Sequence, residues 1–186
     1  MSFPAPLQRN AGFSLIEILV TIVILLVGLL GMAGLQGRAL NSQMESYQRS
    51  QALVLLKDMG NRINANRKSA SAYVTSTALG TGLTACPATT GNAIADNDLC
   101  EWHNELLGAA EVQSGATPVG AMIGARGCVY QTAASAVGVP AQYMVAVAWQ
   151  GLNSTAAPSI ACGSGQYGDE KLRRVITMPV FVGVLN

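Results

Sequence analysis

Residues 12–35 read Gly12-Phe-Ser-Leu-Ile-Glu17-Ile-Leu-Val-Thr-Ile-Val-Ile-Leu-Leu-Val-Gly28-Leu-Leu-Gly31-Met-Ala-Gly34-Leu35, and their reading decides the fold. From Ile18 to Leu35 there are 18 residues without a charge, and back to Phe13 the run reaches 23, interrupted only by Ser14 and Glu17. A helix needs about 20 apolar residues to cross a bilayer, so this stretch is long enough. Its flanking cations, Arg9 and Arg38, are too balanced to fix an orientation by the positive-inside rule. A secretory signal would have a shorter apolar core and an Ala-x-Ala-like cut after it, and neither is present. By hydrophobicity alone the segment is an uncut single-pass anchor.

Glu17 changes that reading. A carboxylate at the centre of a membrane helix costs about 2.5–3.5 kcal/mol, less towards an end, and such residues are functional by default. The natural partner of a buried carboxylate is a cation in the same layer. No Lys or Arg lies within one helical turn of Glu17. The countercharge must come from another chain, a lipid headgroup, or an amine that the precursor does not yet possess. A cut just before the apolar run creates that amine.

Gly12-Phe-Ser-Leu-Ile-Glu17 with its apolar continuation resembles the class III signal of type IV pilins, pseudopilins and their relatives. The resemblance implies a prepilin peptidase that removes a leader, residues 1–12, by cutting after Gly12, and methylates the new N-terminus at Phe13. Glu17, fifth after the cut, then pairs with the N-terminal ammonium of a neighbouring subunit during assembly. Loss of residues 1–12 deletes Arg9 and no acid, which leaves ten basic and ten acidic side chains. With the mature chain neutral, packing and local charge pairs govern assembly.

Gly28, Gly31, Gly34 and Gly37 recur at every third position. Two readings stand side by side. Small residues allow membrane helices to approach closely, and each Gly weakens a helix by about 0.8–1 kcal/mol relative to Ala. A spacing of three drifts around the axis, so the glycines form no single narrow seam. Major pilins that the chain resembles often carry a proline near Gly34; it is missing here, while the weak segment is kept.

Residues 36–67 turn amphipathic, with Leu40, Met44, Tyr47, Ala52, Leu55, Leu56, Met59 and Ile63 at three- and four-residue steps. A helix from 13 to 67, at 1.5 Å per residue, is about 80 Å long, more than a domain of this size can bury. Residues 13–35 therefore belong in a membrane or among other subunits, and 36–67 can pack on a sheet. Gly60 reads as a blemish in that half. Arg62, Arg67 and Lys68 read as a solvated helix end, with contact to lipid phosphates or anionic partners the lesser alternative. Residues 68–118 are a Ser/Thr/Ala/Gly-rich connection with a short helix near 97–110, capped by Asp98 and carrying Leu99, Trp102, Leu106 and Leu107. His103 stands between Glu101 and Glu105, but two helical residues are about 200° apart, so a solvated face is preferred to a metal site.

Residues 119–186 hold strand-like runs at 128–132, 142–150 and 172–182, consistent with an antiparallel sheet. Tyr143, Val145, Val147 and Trp149 alternate with Met144, Ala146 and Ala148, so both faces are apolar and this strand is central. Pro179 puts the last run at an edge or strand end. The fold class is α+β, a long helical spine on a C-terminal sheet, which is the pilin architecture. The four cysteines, Cys86, Cys100, Cys128 and Cys162, all follow the apolar run and face an oxidising compartment on the family reading. Three pairings are possible; Cys86–Cys100 and Cys128–Cys162 are favoured, each closing a loop without a dense apolar core.

A formal net charge of +1 supplies no basic field for nucleic acid, and a single histidine rules out a multi-histidine metal site within one subunit. No G-x-S-x-G, GxxxxGK[ST] or HExxH motif is present, so no enzyme, metal or cofactor is expected. Asp98-Leu-Cys-Glu-Trp102, Val145-Ala-Val-Ala-Trp-Gln-Gly151 and Arg173-Arg-Val-Ile-Thr177 are similar to PilV-type minor pilins. That similarity implies an inner-membrane subunit with a cytoplasmic N-terminus. It then enters an extracellular pilus in a priming complex at the tip, with other minor pilins, the major pilin and a tip adhesin. Twitching motility and adhesion depend on such complexes. The alternatives are a pseudopilin of a type II secretion system and, in a different class, a non-assembling membrane-anchored periplasmic binding module.

Overall fold

The apolar run and the amphipathic stretch after it form one helix, α1, Leu15–Ala65, of 51 residues. In this computed structural model the described residues are 12–81, 86, 90–108, 112–113, 117–118 and 122–183. Residues 1–11 of the expected leader and parts of the 68–118 connection lie outside them. The chain divides between Gln43 and Met44 into two units.

In the first unit every residue from Gly12 to Gln43 is exposed, including the whole Leu/Ile/Val series. Its 18-residue window of mean hydropathy 2.8 makes α1 the one helix, among the described residues, long and apolar enough to cross a membrane. Val20, Thr21, Ile22, Val23 and Ile24 are five consecutive β-branched residues, each of which lowers helix propensity slightly, and they stand in unbroken helix. Thr21 donates its hydroxyl to the Ile18 carbonyl at 2.8 Å, which satisfies that polar group inside the helix.

In the second unit the buried face of α1 is Gln48, Ala52, Leu56, Met59, Gly60 and Ile63. Met44 and Tyr47, expected on that face, stay exposed. The helix ends at Ala65, two residues before the expected end, because Asn66 leaves the helical region (φ −108°, ψ 42°). Asn66 is held there by amide bonds to the Tyr73 hydroxyl (3.2 Å) and to Asn92 Oδ1 (3.3 Å). A 3₁₀ helix, Arg67–Tyr73, follows and buries Ala70 and Tyr73.

Helix α2 spans Ala93–Leu106, four residues earlier than the 97–110 expected. Its cap is Asn92, whose side-chain oxygen accepts from Ala95 N at 3.0 Å, and not Asp98, which lies inside the helix. Leu99, Trp102 and Leu106 are buried as the pattern required, and Trp102 Nε1 donates to the Leu55 carbonyl of α1 at 3.1 Å.

A two-residue antiparallel pair, β1 (Val112–Gln113) and β2 (Thr117–Pro118), precedes the main sheet. That sheet is antiparallel in the order β3 (Arg126–Ala133), β4 (Ala141–Gln150), β5 (Arg173–Val182). Tyr143, Val145, Val147 and Trp149 of central β4 join Ala52, Leu56, Met59 and Ile63 of α1 in the main core. Ala146 and Ala148 join Cys128, Cys162 and Tyr167 in a smaller core on the other face. Pro179 sits in β5, which among the described residues pairs only with β4, so its missing N–H breaks no ladder bond on the free side. Leu79 exchanges two backbone bonds with Gly127 (2.8 and 3.1 Å), which covers the outer side of β3.

Two glycines permit close packing. At Gly60 a Cβ would strike Met178 Cε of β5, so the expected blemish is a place where the helix packs closely on the sheet. At Gly127 a Cβ would strike the Trp102 ring and the Leu106 side chain, so α2 rests directly on the β3 backbone.

Candidate functional site

The residues singled out for processing and assembly lie at the start of α1. Gly12 and Phe13 precede the helix, and the first turn closes with Glu17 N and Ile18 N both donating to the Ser14 carbonyl, at 3.1 and 3.4 Å. Glu17 lies in the first turn, where a carboxylate complements the helix dipole. It is exposed, and among the described residues it forms no ion pair. Gly28, Gly31, Gly34 and Gly37 stand in unbroken helix, and a Cβ at any of them would meet nothing within 4 Å. Nothing among the described residues therefore requires glycine at these four positions.

The second unit contains a charge cluster away from the residues expected to act in assembly. Arg62 bonds four carboxylates: Asp58 (2.6 Å), Asp98 (3.3 Å), Glu101 (2.5 Å) and Glu105 (3.1 Å). Burial opposes its charge, but the hydrogen bonds it donates to Glu101 and Asp58 outweigh that and hold the guanidinium above its ordinary value. Burial, then the nearby Asp58, pushes the Glu105 carboxyl up. Asp98 also accepts from the Tyr73 hydroxyl, and burial followed by that bond raises the phenol to about 12. The solvated helix end expected for Arg62 is thus corrected. The signal lay in Asp98, Glu101 and Glu105, a stripe at three- and four-residue steps that needed an opposing cation.

Arg173 anchors the segment before β5. Only 3% exposed, it donates to the carbonyls of Pro158 (3.0 Å), Ile160 (2.5 Å) and Cys162 (3.1 Å) and pairs with Glu170. Glu170 in turn accepts from Gly165 N at 2.7 Å, and that bond, with Arg173, lowers its pKa. Cys128 is bonded to Cys162 with Cα atoms 5.8 Å apart, and Cys86 to Cys100 with Cα atoms 4.8 Å apart. Arg174 ties β5 to α1 through Glu45 at 3.2 Å and also donates to the Asn153 carbonyl and the Thr155 hydroxyl.

His103 is buried, which corrects the solvated face expected for it. Its Nδ1 accepts from Gly80 N at 3.1 Å, so the neutral ring carries its proton on Nε2, which has no partner among the described residues. Burial, then the charge of Arg126, holds its pKa below the ordinary value. Helical geometry correctly separated His103 from its flanking glutamates; what it omitted was the loop at Gly80, which packs on that side.

Residues 7–33, which contain Gly12, Phe13 and Glu17, match the family model of the prokaryotic N-terminal methylation motif. Residues 34–101, from the last turns of the apolar run through most of α2, match the family model described as type IV pilin Tt1218. No curated protein and no solved structure matches the chain.

Proposed function

The chain belongs to the type IV pilins, and from that premise we propose that it enters a surface filament as a minor subunit, in a tip complex that starts pilus assembly. The observation that carries this reading is the fully exposed apolar helix of the first unit, with a methylation motif at its start. Such a surface is soluble only in lipid or among copies of itself.

The steps follow from the chemistry of this segment. Residues 13–35 hold the precursor in the inner membrane with Phe13 at the cytoplasmic side. A prepilin peptidase removes residues 1–12 after Gly12, and the new amine of Phe13 is methylated but keeps its charge. Entry into the filament exchanges lipid contacts for helix–helix contacts, and Glu17 takes the ammonium of a neighbour's Phe13 as its countercharge. An unpaired carboxylate in that layer is costly, so the pair selects for the correct axial register. Gly28, Gly31, Gly34 and Gly37, in contact with none of the described residues outside their own helix, let neighbouring helices approach or let this stretch loosen on packing. The partners are other minor pilins, the major pilin and a tip adhesin, with twitching motility and adhesion as the outcome.

The test is mass spectrometry of sheared surface fibres from cells with and without Glu17→Ala. A peptide beginning at methylated Phe13, at trace level beside an abundant major subunit and absent in the variant, is the expected result. The processed form in membranes alone would instead indicate a secretion pseudopilin. A chain that keeps residues 1–12 in peptidase-competent cells would return the segment to a plain anchor for a periplasmic binding module.

A further inference from the structure

Three basic residues that are near neighbours in sequence, Arg62, Arg67 and Lys68, have different fates in the fold. Arg62 is saturated by four carboxylates. Arg67 and Lys68 are exposed and, among the described residues, have neither an ion pair nor a side-chain hydrogen bond. They line a cleft of about 360 Å³, formed where the 3₁₀ helix, the β3–β4 hairpin and the end of β5 meet, with Ser71, Gln131, Ser135 and Tyr143 as its other polar members.

Tyr143 is the informative member. It belongs to the main core and is only 4% exposed, yet it lines the cleft, and among the described residues its hydroxyl has no hydrogen-bond partner. Phenylalanine would fill the same core volume as the Tyr143 ring. Burial raises the Tyr143 phenol, so at neutral pH it remains an O–H donor. The side chains of Ser71, Gln131 and Ser135 likewise make no hydrogen bond among the described residues. The cleft thus combines two cations, a phenol donor, two hydroxyls and an amide, with no carboxylate among the described residues of its lining. Donors in excess of acceptors, with positive charge, suit an anion; the hydroxyls and the amide suit a polyhydroxylated body attached to it. The volume lies within the range of small-ligand sites.

We propose that this cleft binds the carboxylate or phosphate of a small acidic sugar, with Arg67 and Lys68 neutralising the anion and the Tyr143 hydroxyl donating to it. All its groups lie within the second unit.

The test is calorimetric titration of the full chain in detergent micelles with glucuronate, glucose 6-phosphate and glucose. Saturable binding of one or both acids, and none of glucose, is expected, and the preferred acid tells carboxylate from phosphate. Arg67→Gln with Lys68→Gln should weaken that binding at least about tenfold, the scale of a charge-assisted hydrogen bond. Tyr143→Phe should keep the unliganded melting temperature and weaken binding several-fold. Absence of binding by both acids, equal binding of glucose, or undiminished affinity in the Arg67/Lys68 variant would each overturn the proposal. Undiminished affinity in a folded Tyr143→Phe would remove the phenol from it.

Discussion

Replacing Cys128 and Cys162 together with alanine cuts the link between β3 and the segment before β5. The bonded residues are 34 apart in sequence, and closing a loop of that length removes about 12.6 cal/mol/K from the unfolded chain, or about 3.8 kcal/mol at 25 °C. Both residues are buried in the smaller core beside Ala146, Ala148 and Tyr167, so alanine is the substitution that adds no polar atom. The second unit has about 140 residues, and at about 2.1 cal/mol/K per residue its unfolding entropy is roughly 0.3 kcal/mol/K. The melting temperature of that unit should therefore fall by about 12 °C, read by near-UV circular dichroism of the full chain in detergent. Detergent keeps the exposed helix of the first unit out of the transition. A fall under about 4 °C would refute the reasoning, because it would mean that the segment from Gly151 to Leu172 is held without the sulfur link. Arg173, which binds three carbonyls of that segment, is the other hold. If the two holds are redundant, Arg173→Gln combined with the double alanine variant will lose more stability than the sum of the separate losses.

Three further outcomes follow from packing and charge. Gly127→Ala drives a methyl into the rigid Trp102 ring and should cost about 2–3 kcal/mol, whereas Gly60→Ala meets only the flexible end of Met178 and should cost about 1 kcal/mol; chemical denaturation of both variants checks the order. His103 has a lowered pKa in the fold, so the unfolded chain takes up the proton first. Its contribution is complete above about pH 6.5 and declines as pH falls below that value, by no more than about 1.4 kcal/mol per pH unit. His103→Gln should flatten that limb of the stability profile. Arg62→Met leaves Asp58, Asp98, Glu101 and Glu105 facing one another and should destabilise by about 3 kcal/mol at pH 7. The deficit should shrink as pH falls towards 4 and the raised Glu105 carboxyl takes a proton first.

The helix spine was legible because its signal is local: a run without charge, then a three- and four-residue rhythm at Ala52, Leu56, Met59 and Ile63. The central strand was legible for the same reason, since alternation from Tyr143 to Trp149 fills two faces at once. Helix boundaries were less so. Asn66 and Asn92 end one helix and begin another through a mutual side-chain bond across 26 residues of sequence, which no local window contains. Gly60 was read by intrinsic propensity as a weakness, whereas the contact with Met178, more than a hundred residues away, decides its role. His103 illustrates the same limit, because its burial comes from Gly80 and the loop around it. Gly12, Phe13 and Glu17 stand apart, because they fall in a methylation motif that is read from adjacent residues alone.

The Cys128–Cys162 bond also sets how the subunit responds to being pulled. If tension opens the sheet, the residues between the two sulfurs cannot extend. At about 3.3–3.6 Å per residue, the 34-residue separation withholds roughly 110 Å of length, close to a quarter of what the second unit would otherwise release. The bond crosses from β3 to the segment that precedes β5, so two of the three strands stay connected after their backbone bonds are gone. A strained subunit would thus lengthen less, and re-form its sheet from a shorter search, than an unlinked chain of the same composition.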